Sequence, residues 1–354
     1  MAIKASGSPL KFSDIINEFG RPTNNNLGAF RVSQTVGSLS NLPLDTGIPG
    51  PGQPIKFSDF YSKKLNVVVN FFTRDATREN ASRKYDDGDV VVIGGFKGRP
   101  NKTSGTKVII HVNKTIGSNS NDRNNVALKT GNWDSGTTLV TIIGPNGKLM
   151  GAGGDGGNGG SGSERGQNGT QGTSAFGIQY STTVVNQGLI FGGHGGGGGG
   201  GGSEYRRCAR NQRGCDGGPG RIRLKGGGGA GGRGFPIGSG GKGGSIKNNN
   251  HESKVNSALE FDGTDGNLNT SGEKGTGIFG TGTSAGYNGT SGNGGNFEQS
   301  GQSGTTQDNK GSSGAGGSGG QRGYAIIVAS GANLISYSGG GEIGGDTKDP
   351  GDPG

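Results

Sequence analysis

The sequence predicts a mainly β protein with a short N-terminal docking segment (residues 1–64), a small β region (65–150) and a glycine-rich domain (151–354). Three observations lead to this prediction. A short motif repeats in the first part, β-branched runs separated by turns fill the second, and glycine dominates the third. In the glycine-rich domain we expect packed extended helices of the polyglycine II type, connected by loops.

Glycine is the strongest signal in the composition. Residues 1–150 contain 17 glycines and the remaining 204 residues contain 68, one in three, against an ordinary usage of about 7%. Collagen requires a strict Gly-X-Y period with abundant proline, and the 12 prolines show no such period. A disordered low-complexity segment is the alternative. We expect packed helices. Ordering a glycine backbone costs more entropy than ordering any other residue, so extended glycine helices must pack together, where hydrogen bonds between them offset that cost.

The N-terminal segment holds an imperfect repeat. The run P-L-K-F-S-D-I at residues 9–15 recurs as P-I-K-F-S-D-F at residues 54–60. In each copy the serine is expected to cap one or two helical turns with apolar residues on one side. Such a segment is too small to fold alone. It is therefore predicted to dock on a larger assembly, through the apolar side chains Phe12, Ile15, Phe57 and Phe60.

The middle region contains short β-branched or aromatic runs. They lie at residues 65–72, 90–93, 108–112 and 138–143, and polar turns such as 145–147 separate them. These runs predict a small sandwich or a wrapped β layer.

Three stretches, at residues 140–160, 184–202 and 324–345, share one design. An apolar β run is followed by a turn, a second short apolar run and then glycine. Each is predicted to be a hairpin or paired edge that leads into a glycine helix. At a rise of about 3.1 Å per residue, the eight glycines at 195–202 would extend about 25 Å.

Catalytic signatures are weak. The three histidines, His111, His194 and His251, are too few for a typical triad or metal cluster. His111 lies within an apolar strand and is expected to be a packed or an edge residue, whereas His194 interrupts glycine and is expected to point between helices. The glycine-rich run 238–243 has glycine, and not Ser or Thr, directly after its lysine, and no helix is expected after it. It therefore does not match a phosphate-binding loop. We predict no enzymatic activity, no cofactor and no metal.

The distribution of charge identifies one candidate binding loop. The formal net charge is +9, and most basic residues are scattered, which does not favour nucleic acid as a partner. A dense basic group lies at 203–225, and arginine forks match phosphate and carboxylate groups. The candidate contact residues are Tyr205, Arg206, Arg207, Arg210 and Arg213, with Tyr287 and Phe297 in a second insert at 279–310. A solvated basic loop or a contact with a neighbouring subunit is the alternative. The cysteines of this loop, Cys208 and Cys215, form either a local disulfide or two free thiols.

Several of these runs resemble proteins of tailed bacteriophages. Residues 92–96, 107–118 and 147–154 resemble tail-fibre proteins, and the two K-F-S-D copies resemble N-terminal elements of structural proteins from cyanophages and related marine phages. The closing runs 323–326 and 341–344 are similar to the ends of glycine-rich phage adhesins. In style the chain resembles the tail-fibre adhesins of T-even-type phages, although its β region is longer. That resemblance implies a lattice of glycine helices whose distal loops bind the host surface.

The resemblance also implies a location and partners. It places the chain in the virion tail or fibre, with other tail proteins and a host glycan, lipopolysaccharide or outer-membrane protein as partners. A homotrimer is expected, with a single-chain tip as the alternative. A purely architectural virion protein of the baseplate, neck or capsid surface is the second hypothesis for function. A cellular wall protein is the third, but it would need a secretion signal, and the sequence shows neither a secretory apolar region nor a membrane-spanning run.

Overall fold

The structure is a computed structural model in which strands predominate and helices are few, which confirms the mainly β prediction. It describes residues 3–102, 106–119, 122–161, 163–206, 221–224, 227–239, 263–267, 270, 272–274, 279–281, 288–290, 305–306 and 311–349. The helices are α1 (Phe12–Phe19), α2 (Ala81–Asp86) and two 3₁₀ turns at Leu27–Phe30 and Phe57–Phe60. The strands are β1 (Gln34–Val36), β2 (Leu39–Leu42), β3 (Asn66–Phe71), β4 (Ala76–Thr77), β5 (Glu79–Asn80), β6 (Val90–Val92), β7 (Lys107–Val112), β8 (Thr115–Gly117), β9 (Val126–Lys129), β10 (Thr138–Ile143), β11 (Lys148–Met150), β12 (Ser174–Ile178), β13 (Thr182–Asn186), β14 (Leu189–Phe191), β15 (Ser203–Arg206), β16 (Arg221–Leu224), β17 (Phe279–Thr281), β18 (Asn288–Thr290), β19 (Thr305–Thr306), β20 (Gly311–Ser313), β21 (Ile326–Val328), β22 (Leu334–Ser338), β23 (Glu342–Gly344) and β24 (Thr347–Lys348).

Fifteen of these strands form a three-sided parallel coil. Sheet I contains β3, β7, β10, β13 and β22, sheet II contains β4, β8, β11, β14 and β23, and sheet III contains β5, β9, β12, β21 and β24. The chain passes through sheets I, II and III in that order five times, and each passage is one rung. Neighbouring rungs pair in parallel on every side, as β7 does with β10 and β8 with β11. Of the two sequence-based expectations for the β region, the wrapped layer is the one observed.

The interior of the coil is apolar and its layers repeat from rung to rung. Alternate residues of sheet I point inward, for example Ile110 and Ile143, and they meet Ile116 and Leu149 of sheet II and Phe176 of sheet III. All five side chains are completely buried. Strands after residue 170 continue the same three sheets, so β structure runs across the boundary predicted at residue 150.

The predicted hairpins are corners of this coil, which corrects that expectation. β10 and β11 are joined by the turn at 145–147, yet β10 belongs to sheet I and β11 to sheet II. The same holds for β13 with β14, and the third predicted pair, β21 with β22, is divided between sheet III and sheet I. Each short strand finds its hydrogen-bond partner one full rung away, because a parallel pair cannot be closed by a tight turn.

Both copies of the K-F-S-D repeat begin a helical turn. The aspartate, not the serine, caps the turn: the backbone N–H groups of Lys11 and Lys56 donate to the carboxylates of Asp14 and Asp59 at 2.9 and 2.7 Å. The serine lies one residue inside each helix, past the capping position, so the expected serine cap is wrong.

The N-terminal segment covers one side of the coil. Its buried side chains, including Phe19 and Phe30, pack against Val68 and Ile109 on the outer face of sheet I. At the first rung, β6 pairs antiparallel with β3 and covers the edge of sheet I. Helix α2 follows β5, and its Tyr85 packs edge-on against Trp133 at 5.3 Å between ring centroids. No helix among the described residues is long and apolar enough to cross a membrane.

Candidate functional site

Two glycine-rich insertions leave the coil at the same corner, between sheet II and sheet III. The first joins β11 to β12 on the third rung, and the second joins β14 to β21 on the fourth rung. Because these rungs are neighbours, the two insertions begin side by side.

The insertions contain five extended segments, which we call g1 (151–160), g2 (164–173), g3 (192–202), g4 (227–235) and g5 (314–323). Segment g3 lies among the other four and is hydrogen-bonded to each of them. Its amides donate to g2 at every third residue: Gly193 to Thr173, Gly196 to Thr170, Gly199 to Gln167 and Gly202 to Glu164, at 2.8 to 3.1 Å. The intervening amides of His194, Gly197 and Gly200 donate to g4, at Arg233, Ala230 and Gly227.

Segments g1 and g5 complete the set around g3. Gly154, Gly157 and Gly160 of g1 donate to the carbonyls of His194, Gly197 and Gly200 at 2.8 Å each. Gly314, Gly317, Gly320 and Gly323 of g5 donate to Gly202, Gly199, Gly196 and Gly193 at 2.8 to 2.9 Å. The backbone of g3 is therefore bonded on several sides with a repeat of three residues.

Side chains are excluded where these backbones meet. A Cβ at Gly196 would lie 2.0 Å from the carbonyl oxygen of Asp155, and one at Gly195 would lie 2.1 Å from that of Gly320. In g2 only every third residue faces such a contact, at Gly166, Gly169 and Gly172. The other positions of g2 carry polar side chains, so the pattern of glycine follows the packing.

The first histidine of interest, His194, stands at a position of g3 that tolerates a side chain. It is buried, its ring centroid lies 5.0 Å from that of Phe191, and its Nε2 is hydrogen-bonded to the guanidinium of Arg322. Arg233 stacks on the same Phe191 ring, with its Cζ 3.9 Å from the centroid. Burial, with the positive charges of Arg322 and Arg233, lowers the pKa of His194 to about 4. The side chain thus links g3 to g5 as a neutral group.

The second histidine, His111, is packed within the fold. It is completely buried in β7, its Nε2 lies 2.9 Å from the hydroxyl of Ser38, and its ring centroid lies 5.0 Å from that of Phe72. Burial lowers the pKa of His111 to about 4. This environment fastens the β1–β2 hairpin to the sheet. The third histidine, His251, lies outside the described residues.

The candidate receptor loop begins where g3 ends. β15 follows g3 directly and pairs antiparallel with β16, so Arg206 stands opposite Arg221, and β15 also pairs with β20. Tyr205 and Arg206 are therefore on the strand that leads into the insert. β17, β18 and β19 form a second small antiparallel sheet. The remaining predicted loop residues lie outside the described residues: Arg207, Cys208, Arg210, Arg213, Cys215, Tyr287 and Phe297.

The four predicted docking residues divide into two pairs. Ile15 and Phe60 are completely buried in the core between the N-terminal segment and sheet I, so a partner protein cannot reach them. This burial corrects their assignment, because apolar residues in a short segment can serve its own fold as well as a partner. Phe12 is partly buried and Phe57 is 42% exposed, and their rings meet edge-on at 6.3 Å.

Metal ligands are not clustered in the described part of the chain, where no three His, Cys, Asp or Glu side chains come together. The organised features of the described parts of the insertions are the backbone array and the two small antiparallel sheets.

The fold and the site define a structural protein, in which a parallel β coil carries a hydrogen-bonded array of glycine-rich segments. The model of the family described as phage tail fibre adhesin Gp38 matches residues 96–348, and the chain belongs to that family. It is therefore a component of the phage virion, located in the tail fibre, and the family points to a structural role. The resemblance to phage tail-fibre adhesins, drawn from the sequence, is confirmed.

A solved structure is similar along nearly the whole chain. It is described as the gp37-gp38 adhesin tip complex of the bacteriophage S16 long tail fiber. The match covers 98% of this chain and 99% of that chain, at 17% identity and a TM-score of 0.38. No curated protein matches the chain.

Proposed function

We propose that this tail-fibre protein recognises the host cell surface through loops held by the glycine array, and that g1–g5 are helices of the polyglycine II type. The observation that carries the proposal is the backbone bonding of g3 at every third residue to the segments around it. An extended glycine helix has about three residues per turn, so its amides and carbonyls point to neighbours on several sides. Packing of this kind makes a rigid base without an apolar core.

The position of the loops supports a role in binding. The 203–225 insert starts at the end of g3, and β20, which pairs with β15, leads into g5. Loops that start from a fixed base lose less conformational entropy when they bind a ligand. The array thus serves the same purpose as a folded scaffold beneath variable loops.

The chemistry of the insert favours an anionic ligand. The insert holds a dense group of basic residues, and its two ends are paired strands whose register sets Arg206 opposite Arg221. We assign the contact to Tyr205, Arg206, Arg207, Arg210 and Arg213, with a phosphate or carboxylate of a surface glycan or lipopolysaccharide as the ligand. Tyr287 and Phe297 would stack on sugar rings, and a Cys208–Cys215 disulfide would close the loop.

The assembly state and the attachment point stay predictions. A homotrimer was expected because three chains would help to bury glycine helices, yet the hydrogen bonds of g1–g5 are made within one chain. A single-chain tip therefore satisfies the same packing requirement. Phe12 and Phe57 are the side chains of the predicted docking set that another tail protein could contact.

The test is binding of the purified full chain to host cells and competition with the parent phage. Replacing 203–225 and 279–310 by short glycine linkers is expected to abolish both, while the unfolding temperature of the coil is retained. The matched control is Ile237→Glu, which changes an exposed residue outside these inserts. A folded wild-type chain that neither binds cells nor competes would leave the architectural function as the better explanation.

A further inference from the structure

A small apolar cluster on the outer face of sheet II holds the glycine array against the coil. Met150 of β11 and Leu189 and Phe191 of β14 are buried there, and Phe235 at the end of g4 packs against them. The side chains inside the coil form a different and much larger cluster. Segment g4 therefore meets the coil at an apolar contact of its own.

Backbone hydrogen bonds converge on the same place. The carbonyl of Phe235 accepts from the Ser118 amide of the coil at 3.0 Å, and the Phe235 amide donates to Gly151 of g1 at 2.9 Å. The His194 amide of g3 donates to the carbonyl of Arg233 in g4 at 2.9 Å. We call this place the joint. It consists of the cluster Met150, Leu189, Phe191 and Phe235, with His194 and Arg233 beside it.

The hydrogen bond of the His194 ring requires a neutral imidazole. Its Nε2 is paired with the guanidinium of Arg322 in g5. A guanidinium group can only donate, so Nε2 must accept and cannot carry a proton. An imidazolium donates from both ring nitrogens, so protonation of His194 would turn this contact into an opposition of two donors.

The charges around the ring also oppose protonation. Arg233 of g4 and Arg322 of g5 lie over the Phe191 ring, with their Cζ atoms 3.9 and 5.7 Å from its centroid. Burial first, then the positive charges of Arg322 and Arg233, lower the pKa of His194 to about 4. Burial and Arg322 also lower the pKa of Arg233, whereas Glu342 of β23 raises it. A proton on His194 would thus add a third positive charge beside two guanidinium groups.

We propose that the joint is an acid-sensitive connection, in which a proton on His194 releases g4 and g5 from the outer face of sheet II while the coil stays folded. Separate opening follows from the small size of the cluster, because regions with few buried apolar contacts open at a lower free energy than the main core. The orientation of the array on the coil would then depend on pH. The proposal does not depend on host recognition.

The size of the effect follows from the two states of the histidine. In the open joint the exposed imidazole has a pKa of about 6.5, against about 4 in the closed joint. The closed joint keeps its full stability above pH 6.5 and loses it as the pH falls toward 4. Between pH 7 and pH 5 the ratio of open to closed molecules should rise about 20-fold.

The experiment is amide hydrogen exchange of the full chain at pH 7 and pH 5, read by mass spectrometry on peptides that cover g4. The amides of Gly232 and Phe235, which donate to Gly154 and Gly151, are the reporters. Relative to the intrinsic exchange rate at each pH, their protection should fall about 20-fold in the wild type. In His194→Gln, whose amide oxygen can accept from an arginine but does not titrate, it should change less than about twofold.

His111→Gln is the matched control, because it removes the other buried histidine, whose pKa is also lowered to about 4, from inside the fold. It should leave the 20-fold response of g4 intact. If g4 opened only when the whole chain unfolds, both histidines would contribute about equally, and the wild-type response would approach about 400-fold. A response that shrinks in His111→Gln, or a wild-type response below about threefold, would overturn the proposal. These two outcomes decide the matter even if the fluorescence of the single tryptophan, Trp133, shows that His194→Gln does not fold.

Discussion

Replacing Gly196 by alanine tests the close packing of the glycine array. The added Cβ would lie 2.0 Å from the carbonyl oxygen of Asp155 and 2.3 Å from its carbonyl carbon. Both atoms are backbone, so no flexible side chain can move away. Segment g3 cannot shift freely either, since the Gly196 amide donates to Thr170 and its carbonyl accepts from Gly320, at 2.9 and 2.8 Å. The substitution must therefore separate g1 from g3 or break these bonds.

The magnitude follows from two terms. Overpacking by one methyl group costs about 1–3 kcal/mol and occasionally more, and each lost hydrogen bond adds about 0.5–1.5 kcal/mol. With one or two bonds lost, the free energy of unfolding should fall by about 1.5–6 kcal/mol. An unfolding entropy of roughly 2.1 cal/mol/K per residue gives about 0.7 kcal/mol/K for 354 residues, so Tm should fall by about 2–8 °C.

The assay is thermal unfolding followed by circular dichroism and by Trp133 fluorescence. Trp133 is buried in the coil, so its transition reports whether the coil and the array unfold together. Gly98→Ala is the control: it adds the same methyl group where no atom lies within 4 Å, and its Tm should stay within about 1 °C of wild type. A Gly196→Ala chain with the Tm of the control would refute the argument that backbone contact, and not composition, requires glycine there.

Two further predictions concern stability. The pKa values of His111 and His194 are about 4 in the folded chain and about 6.5 when the side chains are exposed. Between these two values the unfolded chain therefore binds more protons than the folded chain. The contribution of each histidine to the free energy of unfolding should be constant above pH 6.5 and should fall by roughly 3 kcal/mol as the pH decreases to 4. The loss of Tm between pH 7 and 4.5 should be smaller in His111→Gln than in wild type, and an equal loss would contradict the assignment. The carboxylate of Asp45 is buried. It forms an ion pair with the Lys107 ammonium at 2.6 Å and accepts hydrogen bonds from two backbone N–H groups. Asp45→Ala should lower the free energy of unfolding, measured with urea, by about 3–5 kcal/mol. Arg83→Ala, which removes an exposed ion pair with Asp87, should change this free energy by less than about 0.5 kcal/mol. Similar values for the two variants would show that burial does not determine the effect.

The longer strands were predictable from the sequence and the coil was not. The apolar run predicted at 138–143 is β10, and those at 65–72 and 108–112 match β3 and β7 closely. Strands such as β4 and β5 have only two residues each and carry no periodic signal. Each strand pairs with a strand one rung away in the sequence. The local pattern of two apolar runs and a turn is the same for a hairpin, where the chain reverses, and for a corner, where it passes to the next sheet.

The glycine array was predictable in kind and not in arrangement. Glycine content indicated that packed extended segments would form, but it did not identify which segments would be neighbours. The spacing of Gly166, Gly169 and Gly172 was a usable signal, because one glycine in three marks a face pressed against another backbone. Burial of Ile15 and Phe60 was not predictable, since an apolar face on a short segment serves an internal or an external contact equally well.

The corner between sheets II and III gives the molecule a modular construction. Two insertions of very different length, 151–173 and 192–325, start and end there without disturbing the rungs on either side. Only the ends of each insertion are bound by the geometry of the coil. We therefore expect that whole glycine-rich insertions can be lengthened or exchanged at this corner while the strands of the coil keep their pairing.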